Sequence, residues 1–471
     1  MNLLLRGGSL VSPRGFRRAD LLIRGGKIAL AAPSIEPASI PGDVRVMDCG
    51  GLFVFPGFVD AHTHFGLGEG EDRTADGFFE GSVAASAGGV TTFIDFSDQL
   101  PGMTLLEGAE ARIGEAAPSV IDFALHQGIY RFHPGMAREL DDLAARGVRA
   151  LKIFTTYRNF GVLLEPSSWD SLFPLCAAKR FLLTIHAEDD DIIAALEKEL
   201  RGNPGTTPGG IPASVPGPAL HPRLRPPEAE ASAIMRTGFL ALRHKLPLYF
   251  VHVSSALGME AVRELRRLGL RVAAETTPHY LLLDESRLAG EDGALFLMTP
   301  PLRSPADRDA LKAALVSGDI DILATDHCSY TPGRKKAAPD CRLIPAGIPG
   351  TGEAASLLFT LFPGDTEAKA RALCALFSRN PAHMFGLYPG KGSLEPGTDG
   401  DVTLFDPTAS GRITKSSIRT AAGYSPYEGF GYEGAPVATI LGGEVIAERG
   451  TFTGRPGSGR FLACGESGIY R

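Results

Sequence analysis

Apolar runs rich in β-branched residues recur eight times through the middle of the chain: Val54–Asp60, Val90–Phe96, Phe123–Ile129, Ala150–Tyr157, Phe181–His186, Leu248–Val253, Arg271–Thr276 and Ile320–Thr325. Each leads into loop and then helix-like sequence, clearest at Pro134–Arg146, Ile192–Arg201, Glu228–His244 and Ala256–Leu268. A strand covered on both faces reads as a continuous apolar run, as Phe181-Leu182-Leu183-Thr184-Ile185 does. Eight strand-then-helix units predict an α/β fold, a (β/α)8 TIM-like barrel, with a doubly wound open sheet as the alternative that shares the local pattern.

The two ends of the chain have a different texture. Short apolar runs alternate with tight-turn residues, as in Leu21-Leu22-Ile23-Arg24-Gly25-Gly26 and Ile440-Leu441-Gly442-Gly443-Glu444-Val445-Ile446, the pattern of hairpin strands. Residues 1–50 and 391–455 are therefore expected to form one small β-sandwich domain from both termini. The barrel then occupies 51–390 and a carboxyl-terminal arm 456–471. The 57 Gly and 35 Pro among 471 residues are turn-formers of this kind. They concentrate in Gly202–Pro227, where 8 Pro and 5 Gly fill half of 26 positions, read as an irregular surface loop.

Charge and cysteine content narrow the function. The formal charge is 47 − 54 = −7 with no long basic run, so a nucleic-acid partner is not expected. No apolar run reaches the roughly 18 residues of a membrane span. The amino-terminal apolar stretch is too short for a secretory signal, and the expected location is cytoplasmic. Six cysteines stand far apart without a C-x-x-C pair, which fits reduced thiols better than disulfides or a zinc knuckle.

Metal-capable residues gather where the barrel strands end, the face on which such barrels build active sites. After the first run comes Asp60-Ala61-His62-Thr63-His64. In an extended chain the two histidines point the same way, about 6.6 Å apart. Lys152 ends the fourth run, His186 the fifth and His252 the sixth, and Asp326 follows the eighth.

With these residues, the sequence resembles the hydantoinase/dihydropyrimidinase family of cyclic amidohydrolases, in the amidohydrolase superfamily. The resemblance spans nearly the whole chain. It includes Ala75-Asp76-Gly77-Phe78-Phe79-Glu80-Gly81-Ser82, Lys152-Ile153-Phe154-Thr155-Thr156-Tyr157, His186-Ala187-Glu188, Arg225-Pro226-Pro227-Glu228, Glu275-Thr276-Thr277-Pro278-His279-Tyr280-Leu281 and Thr325-Asp326-His327-Cys328. It implies two divalent metal ions, most simply Zn²⁺. His62, His64 and Asp326 would hold the more buried ion, His186 and His252 the more exposed one, and Lys152, N-carboxylated by CO₂, would bridge them.

The residue types suit those roles. Imidazole and carboxylate are zinc ligands, whereas a lysine ammonium has no lone pair to offer. Apolar Leu151, Ile153 and Phe154 disfavour the ammonium and leave an amine able to take up CO₂. The implied activity is hydrolysis of the C–N bond of a cyclic amide or imide, a hydantoin or 5,6-dihydropyrimidine, by a metal-bridging hydroxide. Asp326 would shuttle the proton and Tyr157 would face the developing oxyanion. Thr299 and the backbone at Ala346 and Ile348 would grip the imide, although the family usually has Ser and Asn where Thr299 and Ala346 stand. Phe65 and Phe154 are expected to tune selectivity for the ring substituent, and a homo-oligomer, tetramer or dimer, is implied.

Three other readings compete. Dihydroorotase or allantoinase activity keeps the chemistry, but Gly66 stands where dihydroorotases usually place an arginine for the substrate carboxylate. A mononuclear deaminase-type site would not need Lys152. A non-catalytic structural homologue would not need the full ligand set. Among the remaining histidines, His126, His133, His221, His244 and His383 read as structural, and His279 and His327 as supports around the metals.

Overall fold

The structure, a computed structural model, describes residues 2–202 and 217–470. Most of the Pro- and Gly-rich segment Gly202–Pro227 lies outside the described residues. Its last part forms the short turns Pro218–Leu220 and His221–Leu224.

Eight parallel strands follow one another in chain order: β1 (Phe58–Asp60), β2 (Val90–Ser97), β3 (Asp122–Gly128), β4 (Ala150–Phe154), β5 (Leu182–His186), β6 (Leu248–Phe250), β7 (Val272–Thr276) and β8 (Ile322–Leu323). The sheet closes between its first and last members. Thr325 donates to the Asp60 carboxylate from backbone and hydroxyl, at 3.0 and 2.6 Å, and Thr63 pairs with His327 as a parallel bridge. The TIM-like barrel is thus the architecture, not an open doubly wound sheet.

The strands are buried on both faces, since one face meets helices and the other the lumen. Val59, Ile94, Ala124, Ala150, Leu182, Tyr249, Ala273 and Ile322 form the lumen core. Phe385 and Leu387 pack onto this core together with Leu462 and Ile469 of the carboxyl-terminal arm. The arm lies along the barrel's lower end, with Leu462 N–H on the Phe123 carbonyl at 2.7 Å and the Tyr470 hydroxyl on that of Phe181 at 2.7 Å. That end is plugged, and the opposite end is left for chemistry.

Both termini share a second, nine-stranded mixed sheet. From one edge it runs Thr451–Phe452, Glu444–Glu448, Gly431–Leu441, Val402–Arg412, Phe53–Pro56, Asn2–Ser12, Gly15–Arg24 and Lys27–Ala32, with Val44–Asp48 also paired to Asn2–Ser12. The sandwich is one continuous sheet. Its wings meet over a common core in which Leu3, Leu21 and Ile23 of the amino-terminal wing join Val402, Leu404 and Ile440 of the other.

One apolar run divides between the sheets. Val54–Asp60, read as a single barrel strand, breaks at Gly57: Phe53–Pro56 joins the terminal sheet and Phe58–Asp60 opens the barrel. A Cβ at Gly57 would collide with the side chain of Thr91, and the Gly57 N–H donates to the Asp401 carbonyl at 2.9 Å. Here glycine permits the close approach of two sheets, which hydrophobic periodicity does not reveal.

Candidate metal centre

The two-residue period of strands aims the first members of the site. Ala150 faces the lumen, so Lys152 does too; the same step leads from Leu182 to His186 and from Ala273 to Glu275. Beyond the strand ends the period no longer holds. Tyr157, His252 and Asp326 have φ of 70°, 39° and 50°, left-handed conformations that are uncommon for non-glycine residues and cluster at functional sites. The loop bearing His62 and His64 is tied down below. Asp95 accepts from the Thr63 hydroxyl at 3.1 Å and the Phe65 N–H at 2.8 Å, and Arg112 donates to Asp95 at 2.8 Å and to the Phe65 carbonyl at 2.6 Å.

Three ligand atoms converge. His62 Nε2, His64 Nε2 and Asp326 Oδ1 are mutually 3.2 Å apart. His62 Nδ1 lies 2.8 Å from Glu275 Oε1. A carboxylate can only accept there, so the proton sits on Nδ1 and Nε2 presents a lone pair. Burial raises the Asp326 carboxyl, but His62, His64 and His252 outweigh that and hold it well below the usual range. Burial lowers His64 in turn. A bare imidazole nitrogen facing an ionised carboxylate at this distance calls for a cation between them, and the donor types are those of a divalent metal site.

The second pair is prepared in the same manner. His186 Nε2 lies 2.8 Å from Glu188 Oε2, which leaves Nδ1 free to ligate. His252 Nδ1 is buried and has no hydrogen-bond partner among the described residues. The two rings stand 4.7 Å apart, centroid to centroid, and His62, His252 and Asp326 bring ligand atoms within 4.8 Å of one another. Lys152 is 1% exposed, with Nζ 5.4 Å from the Phe96 ring and 5.0 Å from that of Phe154. Burial lowers its ammonium to about 7 against the pull of Asp326 and Glu275, so much of it is free amine at neutral pH. The donor set and this amine fit a two-metal centre with a modified lysine.

The other predicted residues are placed unequally. Tyr157 borders the site, its ring 5.2 Å from that of His186 and 4.8 Å from the Arg225 guanidinium, and its phenol lies beside the Thr299 hydroxyl. Burial holds that phenol above its ordinary range, so it is a donor. Thr299 Oγ1 is also 3.1 Å from His221 Nε2, a contact absent from the sequence reading. Phe154 faces His186 at 5.5 Å. Ile348 is buried and pairs with His327, while Ala346 is partly exposed. Phe65 departs from expectation: it is fully buried against Phe93, Phe78 and His327. Arg112 holds its backbone and turns the ring into the core, so it packs beneath the site instead of lining it.

Several contributors had no role assigned from sequence. Glu275 supports three groups at once, taking His62, the His252 N–H at 3.0 Å and the Tyr249 hydroxyl at 2.6 Å. Arg225 holds Glu188 at 2.6 Å. The available signal was a carboxylate inside an otherwise apolar strand, Val272-Ala273-Ala274-Glu275. His327 lies between Asp76, to which Nε2 donates at 2.9 Å, and Gly350, whose N–H Nδ1 accepts at 3.1 Å. A second carboxylate group, Asp122, Asp399 and Asp401, also has metal-like spacing, but the Lys391 ammonium already lies among all three.

A barrel with an H-x-H pair, a lumen lysine, two further histidines and an aspartate at its open end defines a class, and comparison with known proteins agrees. The amidohydrolase family model matches residues 53–199 and 250–446, and the chain belongs to that family. Its relatives within the family are hydantoinases and dihydropyrimidinases. A D-phenylhydantoinase of Escherichia coli is 37% identical over 467 residues, 98% of each chain. The solved dihydropyrimidinase of Brevibacillus agri superposes with a TM-score of 0.92 at 29% identity, and a solved D-hydantoinase with 0.92 at 31%, each covering 99% of both chains.

Proposed function

We propose that the chain is a binuclear metal-dependent hydrolase that opens the ring of hydantoins or 5,6-dihydropyrimidines at the amide bond. One observation carries the reading: His62 Nε2, His64 Nε2 and Asp326 Oδ1 converge to 3.2 Å of one another, beside a buried lysine lowered to about 7. His62, His64 and Asp326 would hold one ion and His186 and His252 the other, with Lys152 as its carbamate between them. Such ions, Zn²⁺ by ligand type, would supply a water acidified toward neutrality and would polarise the substrate carbonyl.

The chain's own groups do the rest. Asp326, held ionised by the histidines around it, carries a proton from the attacking water to the departing amide nitrogen. Without that delivery the tetrahedral adduct expels water again. Tyr157, kept protonated by burial, donates to the developing oxyanion. Thr299 and the main chain at Ala346–Ile348 hold the imide, and Phe154 meets the ring substituent. Among the described residues no helix is long and apolar enough to cross a membrane.

Metal analysis with a ring-opening assay on Lys152→Ala tests this reading. The expected result is loss of bound metal and of turnover, with partial recovery of both when a short carboxylic acid is added in place of the carbamate. Two retained metals with full turnover would refute it, and a single metal unaffected by the substitution would point to a mononuclear deaminase-type site.

A further inference from the structure

Lys335 is wholly buried, yet among the described residues no carboxylate pairs with its charge. It ends the short helix Pro332–Lys335, and its Nζ donates to three main-chain carbonyls: Leu297 at 2.6 Å, Gly347 at 2.6 Å and Pro345 at 3.0 Å. Three acceptors match the three N–H bonds of an ammonium; a neutral amine has two, and its lone pair would face a carbonyl. The acceptors come from two segments far apart in sequence. Leu297 lies two residues before Thr299, and Pro345 and Gly347 flank Ala346.

The two segments also share a buried core, in which Leu297 and Met298 join Ile344 and Ile348. The Gly347 N–H donates to the Leu297 carbonyl at 3.0 Å, and the Cys328 N–H to the Ile348 carbonyl at 3.0 Å. A Cβ at Gly347 would come within 2.7 Å of Cys328 Sγ, so the segment is seated against the loop that carries Asp326 and His327. We propose that Lys335 is a positioning residue for substrate binding, its ammonium fastening the wall that bears Thr299 to the wall formed by Ala346–Ile348. This inference rests on reading those walls as the imide-holding segments.

Cys328 and Tyr330, beside Lys335, are held away from neutrality. Burial holds the Cys328 thiol up at about 12 and, with Cys328, keeps Tyr330 above its ordinary range. Arg334 and Lys336 turn outward to Asp72 and Asp292. Burial lowers Lys335 itself to about 7. As pH rises through that value the third N–H is lost, and the fastening weakens.

The test is steady-state kinetics of cyclic-imide opening by metal-replete Lys335→Met and Lys335→Arg. KM should rise about tenfold in Lys335→Met with kcat within about threefold of wild type and metal content unchanged, and Lys335→Arg should recover part of the loss. An unchanged KM, or a loss confined to kcat, would overturn the inference. Absence of imide opening by the wild-type protein would instead overturn the functional reading beneath it. If neither variant folds, amide exchange of wild type decides, corrected for intrinsic rates. Protection at Gly347 should fall between about pH 6 and 8.5 while that of β4 and β5 stays level, and a parallel profile at both would refute the fastening.

Discussion

Tyr157 sits at φ 70°, a conformation its side chain does not favour, with its ring held between His186 and Arg225. Contacts with both groups hold the phenol in place, as an oxyanion donor requires. Tyr157→Phe should lower kcat by about 10²–10³ while leaving metal content unchanged; turnover within a factor of about two of wild type would make the residue structural. At this scale legibility followed backbone regularity. Lys152 and His186 could be aimed from sequence because they continue the lumen-facing alternation of their strands. His252 and Asp326 were found by type and position, but their left-handed turns, which set where the ligand atoms point, leave no mark in hydrophobic pattern. Glu275 was invisible as a partner because it acts on His62, 213 positions away and brought close only by closure of the barrel, whereas Glu188 stands two residues from His186 and its pairing with that ring depends on how the loop turns after the strand.

Eight strands were legible as apolar runs because parallel strands are buried on both faces, and their observed ends differ from the pattern by a few residues. The exception is informative. The run Val54–Asp60 is uniformly apolar, yet its two halves pair with different sheets, and the division falls where Gly57 lies against Thr91. Gly57→Val should destabilise the fold by about 1–3 kcal/mol through overpacking between sheets, read as a lowered denaturant midpoint with an unchanged slope. A midpoint equal to wild type would mean the contact relaxes freely. Phe65 was misplaced at this same scale: its neighbours in sequence are site residues, but Asp95 and Arg112 hold the main chain with the ring turned inward.

The two sheets and the arm act as one body through a buried charge cluster. Lys391 contacts Asp122 at the start of β3 and Asp399 and Asp401 before the terminal sheet, while Arg460 of the arm reaches Asp122 and Asp399. Burial alone would lower the Lys391 ammonium, and the three carboxylates more than reverse this. Lys391→Met leaves those carboxylates uncompensated and should cost about 3–5 kcal/mol of stability without altering metal binding at the open end of the barrel; equal unfolding midpoints by urea titration would show the cluster to be dispensable. That the termini meet in one sheet was readable from their shared hairpin texture. That a lysine and three aspartates join this sheet to the barrel was not, since they are scattered from 122 to 401 and only the closed fold brings them together.

The central claim concerns the bond that is broken, and substrate preference tests it most directly. Protein supplied with zinc and bicarbonate should be assayed for ring opening of dihydrouracil and 5-substituted hydantoins beside dihydroorotate and allantoin, with kcat/KM measured for each. A preference of about tenfold or more for the first pair is the predicted result. A preference for dihydroorotate or allantoin, or no ring opening of any of the four, would contradict it.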